Sequence, residues 1–91
     1  MPTICGSLDR IEEDIRGTRW IYMKTTLSGE AASRVRVRVG RKPLVLRGKE
    51  RIDFSSIYTG EFAEVTYHRI HAGFIEADTI HVRPKGDPTA C

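Results

Sequence analysis

Arg34, Arg36 and Arg38 stand at alternate positions with Val35, Val37 and Val39 between them, and of all the residues in the chain they are the best spaced to do chemistry. A period of two belongs to a β-strand, because a helix would scatter both sets around its axis. On a strand the guanidinium groups stand about 7 Å apart, two residues at roughly 3.3–3.4 Å each. That approximates the phosphate spacing of an extended single strand. Arg19, Trp20 and Tyr22 lie in a second extended run, Thr18 to Thr25, rich in aromatic and β-branched residues. If Ile21 and Met23 supply the inner face, Trp20 and Tyr22 emerge beside the arginines. A charged track next to stacking rings is what sequence-tolerant binding of single-stranded nucleic acid requires, at about 1–3 kcal/mol per stacked base. Arg19, Arg34, Arg36, Arg38, Trp20 and Tyr22 are therefore the candidate polyanion-binding residues. Neutralising about four phosphates would give a slope near −3 in log K against log salt.

A plainer account competes with this one. Charges on a solvent-facing strand keep a sheet from aggregating without binding anything. The ladder has Glu64 and Glu76 to pair with, and a lone tryptophan in a small domain commonly fills the core. Under that account the chain is a protein-interaction or assembly module, its arginines meeting an acidic protein surface or its strand edge meeting a second copy. Either way the expected state is a monomer or weak homodimer.

The remaining polar residues offer less. His68 and His71 are three apart on a strand end and turn, with His81 on the following strand, and only a twist would bring His68, His71 and Glu76 around one metal. No metal or other cofactor is expected. Glu61, Glu64, Glu76 and Asp78 gather near the C-terminal end, but acids alternating with apolar residues are what a half-solvated strand displays. No nucleophile–base pair, phosphate-cradling glycine loop or zinc motif is visible, so the chain reads as non-catalytic, with no catalytic residue assigned.

Composition frames these choices. The net charge of +3 conceals a division: residues 16–51 hold eleven Lys/Arg against two acids, a net +9, while each flank is net −3. A block of one sign bears on partners rather than on fold. Ninety-one residues make one domain. No apolar run approaches the roughly 20 residues of a membrane helix, and MPTICGSLD has neither the basic nor the apolar region of a signal peptide. Cytoplasmic placement is the default expectation. Cys5 and Cys91 are both read as reduced thiols, Cys5 as a small strand residue and Cys91 in an exposed tail.

The elements that must hold the candidate residues follow from parity and punctuation. A first strand, Ile4 to Glu13, has Ile4, Gly6 and Leu8 on one face and Ile11 out of step after a kink, with Gly6 where chains approach closely. Asp14-Ile15-Arg16-Gly17 is a turn, and the second strand and a loop from Leu27 to Ser33 follow. After the arginine strand, Gly40 to Pro43 reads as a break before Leu44-Val45-Leu46. Ile52, Phe54 and Ile57 suit one helical turn capping the bottom of the fold. The last pair of strands, within Glu61 to Val82, turns at His71-Ala72-Gly73, where glycine takes positive φ without steric cost. Ile75 and Ala77 differ in parity from Ile80 and Val82, which requires a β-bulge near Asp78-Thr79. The prediction is an all-β, five- to six-stranded OB-like barrel with one short helical turn before the last hairpin, an SH3-like barrel or open roll being the second choice. The barrel domain spans residues 1–83, and 84–91 form a flexible tail.

Gly60-Glu61-Phe62-Ala63-Glu64-Val65-Thr66-Tyr67, followed by Gly73 to Val82, resembles the C-terminal hairpin of small bacterial OB-fold-like domains of unknown function. Those carry a glycine, an alternating Val-x-Val/Thr-x-Tyr strand, a glycine turn and an Ala-x-x-Ile-x-Val strand. Gly6-x-Leu8-x-x-Ile11 is similar to their opening strand. The resemblance covers about half of the chain and its motifs are structural. It implies the barrel, whose second and third strands form the face on which OB-folds bind oligonucleotides, and it supplies no function. The basic middle, with Trp20 and the arginine ladder, departs from the spare hairpin usual there.

Overall fold

The computed structural model describes residues 3–25, 33–70 and 73–83. Six strands follow in chain order: β1 (Thr3–Glu13), β2 (Arg19–Thr25), β3 (Ser33–Arg47), β4 (Glu50–Arg51), β5 (Phe62–Arg69) and β6 (Ile75–Val82). One 3-10 turn, Phe54–Ser56, lies between β4 and β5. β1 pairs antiparallel with β2 and β5, β2 with β3, and β5 with β6, while β3 runs parallel to β6. The ring β1-β2-β3-β6-β5 therefore closes on itself, an all-β barrel of five strands, and β4 is a two-residue extension on the end of β3. Closure removes the open edges that so apolar a sheet would otherwise present.

Alternation along each strand fills the interior. Leu8, Ile21, Met23, Val37, Val39, Val45, Ala63, Val65, Ala77, Ile80 and Val82 are all buried in one cluster. Each full-size aliphatic chain there contributes about 1.5–3 kcal/mol. Ile57 joins the same cluster, with Ile52 and Phe54 packed against it, so the segment around the 3-10 turn plugs the barrel as the apolar spacing predicts.

Two bulges resolve the slips in parity. Between Leu8 and Arg10 the β1–β2 register shifts, which leaves Asp9 as the extra residue and restores Ile11 opposite Ile21. Thr66 faces Thr79 but Tyr67 faces Ala77, so Asp78 is the extra residue of β6. Gly6 sits where the chains crowd: a Cβ built there would lie 2.4 Å from the Lys24 carbonyl oxygen. Gly73 has φ +79°, and the Ile70 N–H donates to the Phe74 carbonyl at 2.9 Å across the final turn.

Two expectations need correction. Gly40 to Pro43 does not break the strand. β3 runs through it as a wide bulge, the step from Val39 to Leu44 facing only the step from Ala77 to Thr79 on the parallel β6. Cys5 is disulfide-bonded rather than a reduced thiol. A bridge depends on Cα atoms about 4.4–6.8 Å apart, a spatial condition that distance along the sequence does not reveal. Residues 27–32 of the expected loop, His71 and Ala72 of the last turn, and the tail 84–91 with Cys91 lie outside the described residues, while Ser33 of that loop opens β3.

Candidate functional site

Register builds the candidate face. Ile21 and Met23 are fully buried, so Trp20, Tyr22 and Lys24 take the opposite parity and lie on the outside of β2. On β3, Val37 and Val39 are buried and Arg34, Arg36 and Arg38 are exposed. The pairing sets Trp20 opposite Arg38, Tyr22 opposite Arg36 and Lys24 opposite Arg34. Four cations and two rings thus share one outer wall of two adjacent strands, as the alternating valines predict. Lys24 was not singled out from sequence, although its parity with Trp20 and Tyr22 was the available signal.

The three arginines of the ladder have three different environments. Arg34 pairs with Asp9 at 3.0 Å, and that carboxylate reaches it from the β1 bulge. Both side chains are well exposed, so the pair contributes at most about 1 kcal/mol. The Arg36 guanidinium lies over the Trp20 ring, 3.7 Å from its centroid, and 5.7 Å from that of Phe74. Arg38 has no hydrogen bond or ion pair among the described residues. Its register neighbour on β6 is Glu76, but a Cβ built at Gly40 would sit 2.8 Å from that carboxylate, which lies against the glycine backbone instead. Glu64, the other acid considered for the ladder, pairs with Arg83 at 2.9 Å.

Trp20 is neither a core filler nor an open stacking surface. It faces outward, away from the barrel interior, yet is only 8% exposed. Arg36 roofs the indole, Phe74 meets it edge-on at 5.6 Å between centroids, and its Nε1–H donates to Asp14 Oδ2 at 3.3 Å. Asp14 is organised by the β1–β2 turn, where its Oδ1 accepts the backbone N–H groups of Arg16 and Thr18, both at 2.9 Å. Gly17, at φ +80°, lets that turn close. Desolvation acts to raise the Asp14 pKa. The hydrogen bonds from Thr18, Trp20 and Arg16, with the Arg16 charge, outweigh it and hold the carboxyl below its ordinary range. Asp14 and Phe74 are site residues that sequence reasoning missed. The Asp14-Ile15-Arg16-Gly17 turn is legible in the sequence, but its reach to the indole is not.

Arg19 departs from the group. It has the parity of Ile21 and Met23, and it donates to the Gly40 carbonyl at 3.2 Å with its guanidinium 4.6 Å from the centroid of the Phe54 ring. It therefore belongs to one end of the barrel, beside the 3-10 turn, and not to the wall that carries the ladder.

Histidines and acids are engaged elsewhere. His68 Nδ1 lies 2.8 Å from Asp78 Oδ1, and His81 Nε2 is 2.9 Å from the Gly48 carbonyl. Glu61 takes both of its oxygens to Arg47, at 2.8 and 2.9 Å, and Arg47 also donates to the Ser56 carbonyl. That fork ties the plug segment to β3. Among the described residues no three His, Cys, Asp or Glu side chains group around a common point, and His71 of the considered trio lies outside them. A scan against family models, a search of curated proteins and a search of solved structures each return no match to this chain.

Proposed function

We propose that the chain is a non-catalytic binding module that takes up single-stranded nucleic acid weakly through the outer wall of β2 and β3. One observation carries this reading. Lys24, Arg36 and Arg38 stand in register on adjacent strands beside Tyr22, and neither Lys24 nor Arg38 has a hydrogen bond or ion pair among the described residues. A ring order of β1-β2-β3-β6-β5 with β3 parallel to β6 supports reading the barrel as OB-type, and β2–β3 is the oligonucleotide face of that type.

The geometry narrows the contacts. Phosphates meet Lys24, Arg36 and Arg38, whereas Arg34 stays on Asp9 and Arg19 lies off the wall. Bases stack on Tyr22 and on the planar guanidinium of Arg36, which Trp20 holds from beneath. Trp20 is thus a positioning residue for Arg36. Three neutralised phosphates give a slope of about −2 in log K against log salt, from about 0.7 per phosphate for a single strand.

Anisotropy titration of a labelled single-stranded oligonucleotide at several salt concentrations tests the reading. The double variant Lys24→Gln/Arg38→Gln should weaken binding and flatten the slope by about 1.4. Absence of binding at low salt ends the proposal. An acidic protein that binds the same wall in its place moves the chain to the assembly class.

A further inference from the structure

A second basic feature lies off the ladder, at the end of the barrel to which Arg19 belongs. The wide bulge of β3, Gly40 to Pro43, faces the 3-10 turn across a cleft of about 380 Å³. Arg19, Lys42 and Arg51 line it against a single carboxylate, Asp53, with Pro43 and Phe54 among the apolar lining. The cations come from three separate strands. Arg19 is on β2, Lys42 on the β3 bulge and Arg51 on β4, so the fold brings together charges far apart in sequence.

The three are not equivalent. Arg19 is positioned by the Gly40 carbonyl and the Phe54 ring, which fixes one guanidinium in the wall of the cleft. Lys42 and Arg51 are exposed and have no hydrogen bond or ion pair among the described residues. Like charges lining one concavity raise its potential, and a doubly charged anion relieves it better than scattered monovalent counterions. Forked guanidinium groups match the oxygens of a phosphate, and a lysine adds a point charge. The volume falls in the range of small-molecule sites, about 300–1,000 Å³.

We infer that this cleft binds a phosphate dianion, Arg51 and Lys42 closing on its oxygens while Arg19 provides the fixed wall. The site is separate from the β2–β3 wall and does not depend on nucleic-acid binding there. The shared chemistry is the phosphate group, free or carried as a monoester on a small molecule.

Amide NMR of the full chain decides the matter. Inorganic phosphate, pyrophosphate and adenosine monophosphate are titrated separately at constant ionic strength, with chloride as the reference anion. Saturable shifts confined to the amides of Arg19, Lys42 and residues 51–55 are expected for phosphate and absent for chloride. Tighter binding of the nucleotide assigns a monoester ligand, and equal binding assigns the bare ion. Lys42→Gln/Arg51→Gln should lower phosphate affinity by about tenfold or more for each charge-assisted hydrogen bond lost. Lys49→Gln/Arg69→Gln, which removes the same charge elsewhere, should leave it unchanged. Thermal melts confirm the fold of each variant, and Lys42→Gln and Arg51→Gln are read singly if the double variant is destabilised. Shifts spread equally over all cationic positions, or full affinity in the cleft variants, overturn the inference.

Discussion

Coupling between Arg36 and Trp20 can be measured directly. The guanidinium is 3.7 Å from the indole centroid, and the ring beneath it is 8% exposed although it lies outside the barrel. Cation–π contacts run from about 0.5–1 kcal/mol at exposed sites to about 2 kcal/mol when desolvated. Here one partner is dry and the other wet, since Arg36 itself is exposed, which places the expected coupling near 1 kcal/mol. The perturbation is a double-mutant cycle of Arg36→Gln, which removes the charge and keeps a polar stem, with Trp20→Leu. Trp20→Leu alone destabilises further, because it also loses apolar area and the hydrogen bond to Asp14. That excess cancels in the cycle. Far-UV circular dichroism in urea is the appropriate readout, because Trp20 is the sole tryptophan and its own emission vanishes in half of the cycle. With a denaturant slope of about 1 kcal/mol/M for so small a domain, the coupling corresponds to about 1 M in urea midpoint. A coupling no larger than the roughly 0.3–0.5 kcal/mol scatter of additivity would refute the claim that the indole holds the guanidinium.

Two further outcomes test the frame around that pair. Gly6→Ala should destabilise by about 1–3 kcal/mol or more, as overpacking does, because the new Cβ meets the Lys24 carbonyl at 2.4 Å; an unchanged urea midpoint would remove the close approach of β1 and β2. Asp14, its carboxyl held below the usual range in the fold, contributes stability that is present above the ordinary aspartate pKa of about 3.9 and is lost as pH falls through its lowered folded value. Asp14→Asn should therefore be less stable than the parent at neutral pH. The gap between their midpoints should close on acidification through that range, and a gap independent of pH would contradict the assignment.

Local parity made much of the barrel legible. Ile11 out of step with Leu8, and Ile80 out of step with Ala77, each demanded one extra residue, and bulges at Asp9 and Asp78 supply them. The same alternation placed three valines in and three arginines out. What escaped depended on contacts between distant segments. Gly40-Arg41-Lys42-Pro43 has the composition of a turn, but a parallel partner in β6 carries the strand past it, and only that partner fixes the outcome. The roof over Trp20 joins β3 to the approach of β6, and its hydrogen bond comes from the β1–β2 turn. Arg19 is a different failure. Its parity with Ile21 and Met23 is legible in the sequence, and charge alone groups it with the ladder.

The covered tryptophan also decides what sort of binding this wall can support. An open indole would supply stacking energy that persists at high salt. Here that face is occupied by the protein's own Arg36, and a base can reach it only by displacing a contact worth about 1 kcal/mol, which cancels much of the 1–3 kcal/mol that stacking returns. On the proposed reading, affinity must then rest on Lys24, Arg36 and Arg38, and charge-borne affinity decays with added salt. Raising salt should abolish binding to the parent, whereas Arg36→Gln gives up one phosphate contact, exposes its indole to the oligonucleotide and should keep the weak, salt-insensitive part of the affinity that stacking supplies. Stronger quenching of Trp20 emission by bound oligonucleotide in Arg36→Gln than in the parent is the expected sign. Equal and strong quenching in both would mean that Trp20 is the stacking platform after all and that Arg36 only covers it when the wall is empty.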